Sequence, residues 1–179
     1  MLKGTQRLAY LALLVALGVV LTRVASLRVA IGGVEGIRIG FGGLPAILAG
    51  VLWGPGAGAL VGGLGDVIGY FVNPMGAYMP HFTLTAALTG VLPALVLKLV
   101  RQERHPGLGA LLLAILVGQT VTSLILVPYF LQVLFGIPWQ PLLVPRLIGQ
   151  AIHVPVYAFF IYALVRRADL AGKLGWNHQ

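Results

Sequence analysis

Long apolar runs, interrupted at proline- and glycine-rich points, set the pattern of this chain. Leu8–Thr22 is uncharged and is flanked by Arg7 and Arg23, whose stems can snorkel along an apolar helix. Between Ile39 and Leu97 the one formal charge is Asp66. "WGPG" (53–56) and "NPMG" (73–76) cut that stretch into three, because proline and glycine mark turns. His105–Pro145 carries no formal charge and breaks near "GIPWQP" (136–141), and Leu147–Val165 forms the last run. An apolar helix needs about 20 residues to cross a bilayer at 1.5 Å of rise each. The pattern predicts an all-α integral membrane protein, a bundle of six transmembrane helices at roughly 6–25, 39–53, 56–72, 80–99, 108–134 and 143–165. It also predicts a single domain over residues 1–179.

Composition agrees. Hydrophobic residues make up 59% of the chain and charged residues 9%, against about 25% charged in a soluble domain. The mean hydropathy is +0.97. Without cysteine there is no disulfide or thiol chemistry. The net charge of +8 does not point to nucleic acid, because no basic run lies on a polar scaffold. Six spans put both termini on one side, together with Lys3, Arg7, Lys98, Arg101, Arg104, Arg166, Arg167 and Lys173. Eight of the twelve basic residues therefore mark that side as cytoplasmic. The basic start of the chain resembles a signal peptide, but Arg23 abuts its apolar run and further spans follow.

The other four basic residues are all arginine. Arg23, Arg28 and Arg38 flank the first outer loop with only Glu35 nearby, and Arg146 opens the sixth helix from outside. Anchoring lipid phosphates accounts for Arg28 as well as a ligand does. For Arg146 a ligand role is favoured, since a guanidinium clamps carboxylate or phosphate through two parallel bonds.

Polar residues recur at helical spacing. Asp66, Tyr70 and Asn73 share a face of the third helix; His81, Thr85 and Thr89 share one on the fourth. Gln119, Thr122 and Ser123 share a face of the fifth, and Arg146, Gln150, His153 and Tyr157 run down the sixth. The threonines, Ser123 and Gln119 are expected to join helices by hydrogen bonds. For Asp66 and Arg146 a buried ion pair competes with a ligand cavity. Desolvation makes such a pair a poor source of stability, and the excess of arginine favours a cavity open to the outer face. Tyr70, Phe71, Tyr78, Phe82 and Trp139 lie toward the outer side, where aromatics usually form an interfacial belt. Beside Asp66, they could instead stack on a flat heteroaromatic whose amino and ring N–H groups the carboxylate accepts. Gly58, Gly62, Gly63 and Gly65 are expected to permit close helix contact, there being no phosphate-binding loop. Ala12 and Ala16 form a small-xxx-small pair, read first as internal packing.

"GGLPAILAGVLWGPGAGALVGGLGDVIGYFVNPMGAYMPHFTLTAALTG" together with "VPRLIGQAIHVPVY" resembles the substrate-binding S components of energy-coupling factor (ECF) vitamin transporters, most closely the folate-specific branch. The resemblance covers nearly the whole chain, and the block 39–90 is its specific part. It implies a prokaryotic cell-membrane protein that binds a vitamin near the outer face. It also implies docking on a transmembrane coupling protein driven by two ATPase subunits, with Ala12–Ala16 matching the AxxxA contact of that family. By position it implies Asp66, Tyr78, Phe82 and Arg146 as substrate-binding residues, and Arg23 as a clamp for a glutamate tail. His81 departs from the pattern, standing in "MPHFTLT" where glycine is expected, and bears on ligand choice.

The expected substrate-binding set is Arg23, Asp66, Tyr70, Tyr78, His81, Phe82, Arg146, Gln150 and His153, with no cofactor, metal or catalytic residue. Folate or a related vitamin and membrane lipid are the expected small partners. An S component for another vitamin, such as pantothenate, is the nearest alternative. A small intramembrane metal enzyme using Asp66, His81 and His153 is the alternative of a different class, though no HExxH-like spacing supports it.

Overall fold

The computed structural model describes residues 4–23, 27–31, 34–74, 78–102 and 106–167. Among them, the apolar runs form α1 (Gly4–Arg23), α2 (Leu44–Trp53), α3 (Pro55–Val72), α4 (Pro80–Leu99), α5 (Leu108–Phe135) and α6 (Gln140–Arg167). Five are long and apolar enough to span a membrane, and α2 is a shorter apolar helix of ten residues. The turns fall at the glycines and prolines. Gly54 takes φ +90° between α2 and α3, and Gly136 ends α5 in the left-handed region at φ +65°. α6 starts earlier than its sequence pattern suggested, because Pro141 sits in the first turn, where no backbone N–H is needed.

The connection between α1 and α2 is not irregular. Leu27–Ile31 (β1) and Val34–Ile39 (β2) pair antiparallel, with Leu27 opposite Ile39, Arg28 opposite Arg38, and a register shift between Val29 and Ala30. Ile39, the last residue of this hairpin, and the Gly40–Gly43 turn occupy what the hydropathy reading gave to the start of the second helix. Two β-branched runs separated by Gly-Gly are the hairpin signal that reading passed over. The side chains of Arg28, Glu35 and Arg38 lie outside the described residues, as do Lys3, Arg104, Lys173 and the side chain of Arg167.

Large apolar side chains point outward along the bundle; Leu8, Phe71, Leu99 and Val133 are each more than 60% exposed. Facing lipid, such surfaces provide no hydrophobic drive for helix association, so close backbone approach must hold the helices together. Leu97, Leu111, Ile115 and Ile161 are fully buried toward the end of the bundle where α1 begins and α6 finishes. Beside them, α2, α3 and α4 meet backbone to backbone. A Cβ on Gly58 would lie 2.5 Å from the carbonyl oxygen of Gly90, and one on Gly50 would strike the same oxygen. One turn along, a Cβ on Gly62 would strike the carbonyl of Ala86. Gly58 and Gly62 thus serve close packing as expected. Gly63 does not, its nearest neighbour being Ala87 Cβ at 3.8 Å, and Gly65 has open space around it.

Gly50→Ala and Gly90→Ala should each destabilise the detergent-solubilised protein by roughly 1–3 kcal/mol or more, the usual cost of overpacking. The clash is with a backbone carbonyl that cannot swing away. Gly56→Ala, with nothing within 4 Å of the added carbon, should melt at or above the wild-type temperature. Equal melting of all three variants would contradict this packing.

Candidate functional site

The hairpin half of the bundle is hollow. A cavity of about 830 Å³ opens there, within the range of pockets that hold drug-sized ligands. Its walls come from all six helices, α2 contributing Ala46, and from the Gly40–Gly43 turn. α1 contributes Thr22 and Arg23; α3 contributes Gly65, Asp66 and Tyr70; α4 contributes Phe82, Thr85 and Thr89, preceded by Tyr78 and Met79. α5 contributes Gln119, Thr122 and Ser123, and α6 contributes Arg146, Gln150, His153 and Tyr157.

Asp66 projects one turn above Gly62 on the face that packs against α4. Its Oδ2 accepts a 2.7 Å bond from Thr83 Oγ1. Since Thr83 gives its proton to the carboxylate, the Tyr78 hydroxyl donates to Thr83 Oγ1 across 2.9 Å. Tyr78 also packs on Tyr70, the ring centroids 5.2 Å apart. The carboxylate is therefore oriented by a hydroxyl relay, and an aromatic pair stands beside it. Thr83 was missed at the sequence level because it does not share the 81/85/89 face.

Opposite, α5 changes from α to π over Thr120–Leu126, and the Val127 N–H bonds to Thr122 O. π-turns recur at functional sites, where they re-aim side chains. Here the turn borders the cavity and holds α6. Gln150 Nε2 donates to Thr120 Oγ1 at 2.8 Å and to Leu116 O at 3.4 Å. Both amide N–H groups are used in this way. Gln150 is 7% exposed and its Oε1 has no hydrogen-bond partner among the described residues. Arg146 Nη1 donates to the Ser123 carbonyl at 3.3 Å.

α6 also grips the turn that follows the hairpin. The Gly40 N–H donates to His153 Nε2 at 3.3 Å, and the Tyr157 hydroxyl donates to the Gly40 carbonyl at 2.7 Å. The His153 and Tyr157 rings stack, with centroids 5.5 Å apart and planes 22° from parallel. Both backbone groups of one residue are thus held by one helix. On the other side, Arg23 Nη1 donates to the Asn73 carbonyl at 3.2 Å.

Of the nine expected site residues, Arg23, Asp66, Tyr70, Tyr78, Phe82, Arg146, Gln150 and His153 line this single cavity. His81 does not. Its ring packs on Phe130, centroids 5.0 Å apart, because adjacent residues on a helix point about 100° apart and Phe82 takes the inward direction. Thr85, Thr89 and Thr122 do not join helices as anticipated. Each hydroxyl donates to a carbonyl of its own helix, to Phe82, Thr85 and Gly118 respectively, at 2.7–2.9 Å. That local bond is reached without ordering a second helix, and it leaves these residues as cavity wall. Phe71 and Trp139 are exposed and away from the cavity. Ala12 and Ala16 are exposed on α1, facing away from the core made by Leu11, Leu14 and Val15, so they are not internal packing. No group of three His, Cys, Asp or Glu side chains able to hold a metal occurs among the described residues.

This bundle of six apolar helices, hollow toward the end where α1 leads into the hairpin, shares its fold with solved S components. The family described as the ECF-type riboflavin transporter, S component, matches residues 3–168, and the chain belongs to it. It is a multi-pass membrane protein and a transporter subunit, not an enzyme. The folate transporter FolT of Clostridium novyi (strain NT) is 32% identical over 176 residues, covering 97% of each chain. The crystal structure of FolT bound with folic acid matches at TM-score 0.76 and 26% identity, over 92% of this chain and 96% of that one. The S-component for biotin from an ECF-type ABC transporter matches at TM-score 0.67 and 19% identity, over 94% and 96%, and speaks to fold alone.

Tyr157→Phe removes the donor from the half-buried Gly40 carbonyl, an expected cost of about 1 kcal/mol at that bond. Hydrogen exchange over residues 40–47 should quicken in this variant while exchange in α4 stays as it was. Unchanged exchange would mean that α6 does not hold the turn.

Proposed function

We propose that this chain is the folate-binding S component of an ECF-type importer: one domain, embedded in a prokaryotic cell membrane, with both termini cytoplasmic and the cavity facing outward. The observation that carries this reading is the chemistry of one cavity wall against another. Asp66, with Tyr70, Tyr78 and Phe82 around it, suits a flat heteroaromatic with an amidine-like edge. The carboxylate accepts its N–H donors and the rings stack on its faces. The orphaned Gln150 Oε1 is a further acceptor for such donors. Arg23 and Arg146 suit the carboxylates of a glutamate tail, which guanidinium forks bind in pairs of bonds. Riboflavin, the vitamin of the matching family description, has a flat ring but no carboxylate to meet the guanidinium forks of Arg23 and Arg146. Pantothenate has the carboxylate but no flat ring. Folate has both.

The chain carries no nucleotide-binding loop, so transport needs other subunits. In this reading the outward Ala12–Ala16 face of α1 meets a transmembrane coupling protein served by two ATPase subunits, and the remaining apolar surface meets lipid. Cytoplasmic termini follow from the basic clusters between α4 and α5 and at both chain ends.

Calorimetric titration of the purified protein with folate, riboflavin, pantothenate and biotin should show tight binding of folate alone. Arg146→Ala and Asp66→Asn should each weaken folate binding roughly 10- to 100-fold, as expected from losing a hydrogen bond to a charged group. Equal folate affinity in both variants, or preferential binding of riboflavin, would overturn the assignment.

A further inference from the structure

The contacts of Arg23 raise a question that its ligand role alone does not answer. The side chain leaves the last turn of α1 and crosses to α3, where it lies along bare backbone. A Cβ built on Gly69 would fall 2.9 Å from Arg23 Nε, 3.5 Å from Nη2 and 3.7 Å from Cγ. The far end is tied by the Nη1 bond to the carbonyl of Asn73, the residue that closes α3. A cation at a helix C-terminus is favourably placed. Yet the Nε–H is shielded from water and has no acceptor among the described residues. A rim arginine serving only as a surface cation would swing out and solvate that group. Retaining it argues that the position of the guanidinium, rather than its own hydrogen bonding, is what the fold preserves.

Gly69 itself is buried in the interior of α3, one turn after Asp66. Glycine there weakens a helix relative to alanine. Its use makes sense if the missing methyl group is the socket for the arginine.

We infer that Gly69 is a positioning residue: the notch it leaves in α3 seats the Arg23 guanidinium on the cavity wall, where it meets a ligand carboxylate. This rests on the reading of a carboxylate-bearing ligand given above. The residue touches no ligand itself. Of the five guanidinium N–H groups, one is spent on Asn73 and one is buried against Gly69, so the other Nη protons are those offered to an anion. An alanine at 69 would push the flexible tip of the arginine and not the backbone, and so move the cation without disturbing the bundle.

Gly69→Ala tests this. Its melting temperature should equal or exceed that of the wild type, while its folate affinity falls about tenfold, the scale of one misplaced charge-assisted contact. Affinity for 6-hydroxymethylpterin, which lacks the carboxylates, should not change. Added to Arg23→Ala, the substitution should weaken folate binding no further, since both act through one side chain. Independently of any vitamin, labelling of Arg23 by phenylglyoxal, read by mass spectrometry, should speed up severalfold in Gly69→Ala and stay constant at Arg146. Unchanged Arg23 labelling, or folate losses that add in the double variant, would overturn the inference. A wild-type protein that binds no folate but shows the labelling change would leave the positioning role standing and remove the folate assignment.

Discussion

The seam between α3 and α4 is the constraint on which the rest of the molecule depends. Gly58, Gly62 and Asp66 follow one another at four-residue spacing on α3, and they meet Gly90, Ala86 and Thr83 on α4. The first two rungs are bare backbone against backbone. In lipid the exclusion of water contributes nothing to helix pairing, so van der Waals contact at this closeness is what holds the helices. The third rung is the hydrogen bond from Thr83 to Asp66. The register that fits glycine to carbonyl is therefore the same register that delivers the carboxylate to its donor. A slip of one residue on either helix would lose both.

Above the glycine rungs the helices no longer close on one another, and the space is lined by polar groups that could not face hydrocarbon. A carboxylate at bilayer depth costs on the order of 2.5–3.5 kcal/mol on insertion scales. Asp66 escapes that cost by opening on a cavity and accepting a hydroxyl bond. The other walls are held by similar local devices. The π-turn of α5 takes the amide of Gln150, and His153 and Tyr157 hold the backbone of Gly40 from α6. These bonds tie the segment after the hairpin to the helix that also carries Arg146.

The packed half and the hollow half of the bundle meet different demands. The S-component for biotin shares the fold at 19% identity, and the matching family is described for riboflavin. The seam and the apolar exterior are requirements of the membrane. In the proposed reading, the groups that would distinguish one flat or anionic ligand from another are a few cavity side chains, apart from the packed seam.

Hydropathy and charge alone determined the membrane class and the six helices to within a few residues at most ends, because the bilayer imposes a length and polarity that each span must meet separately. Helical spacing also put Asp66, Tyr70, Arg146, Gln150 and His153 on polar faces. Which polar faces enclose one space is a matter of helix neighbours, and no single-helix periodicity contains it. Thus Thr85, Thr89 and Thr122 became cavity wall, His81 turned aside onto Phe130, and Ala12 and Ala16 turned outward. The β-hairpin did have a local signal, the Gly-Gly between two strand-forming runs, which hydropathy does not register. The Gln150 contact of the π-turn comes from α6, and Gly69 gained its meaning from an arginine that arrives from another helix. These last two were decided by contacts between residues far apart in the chain, where local propensity has no say.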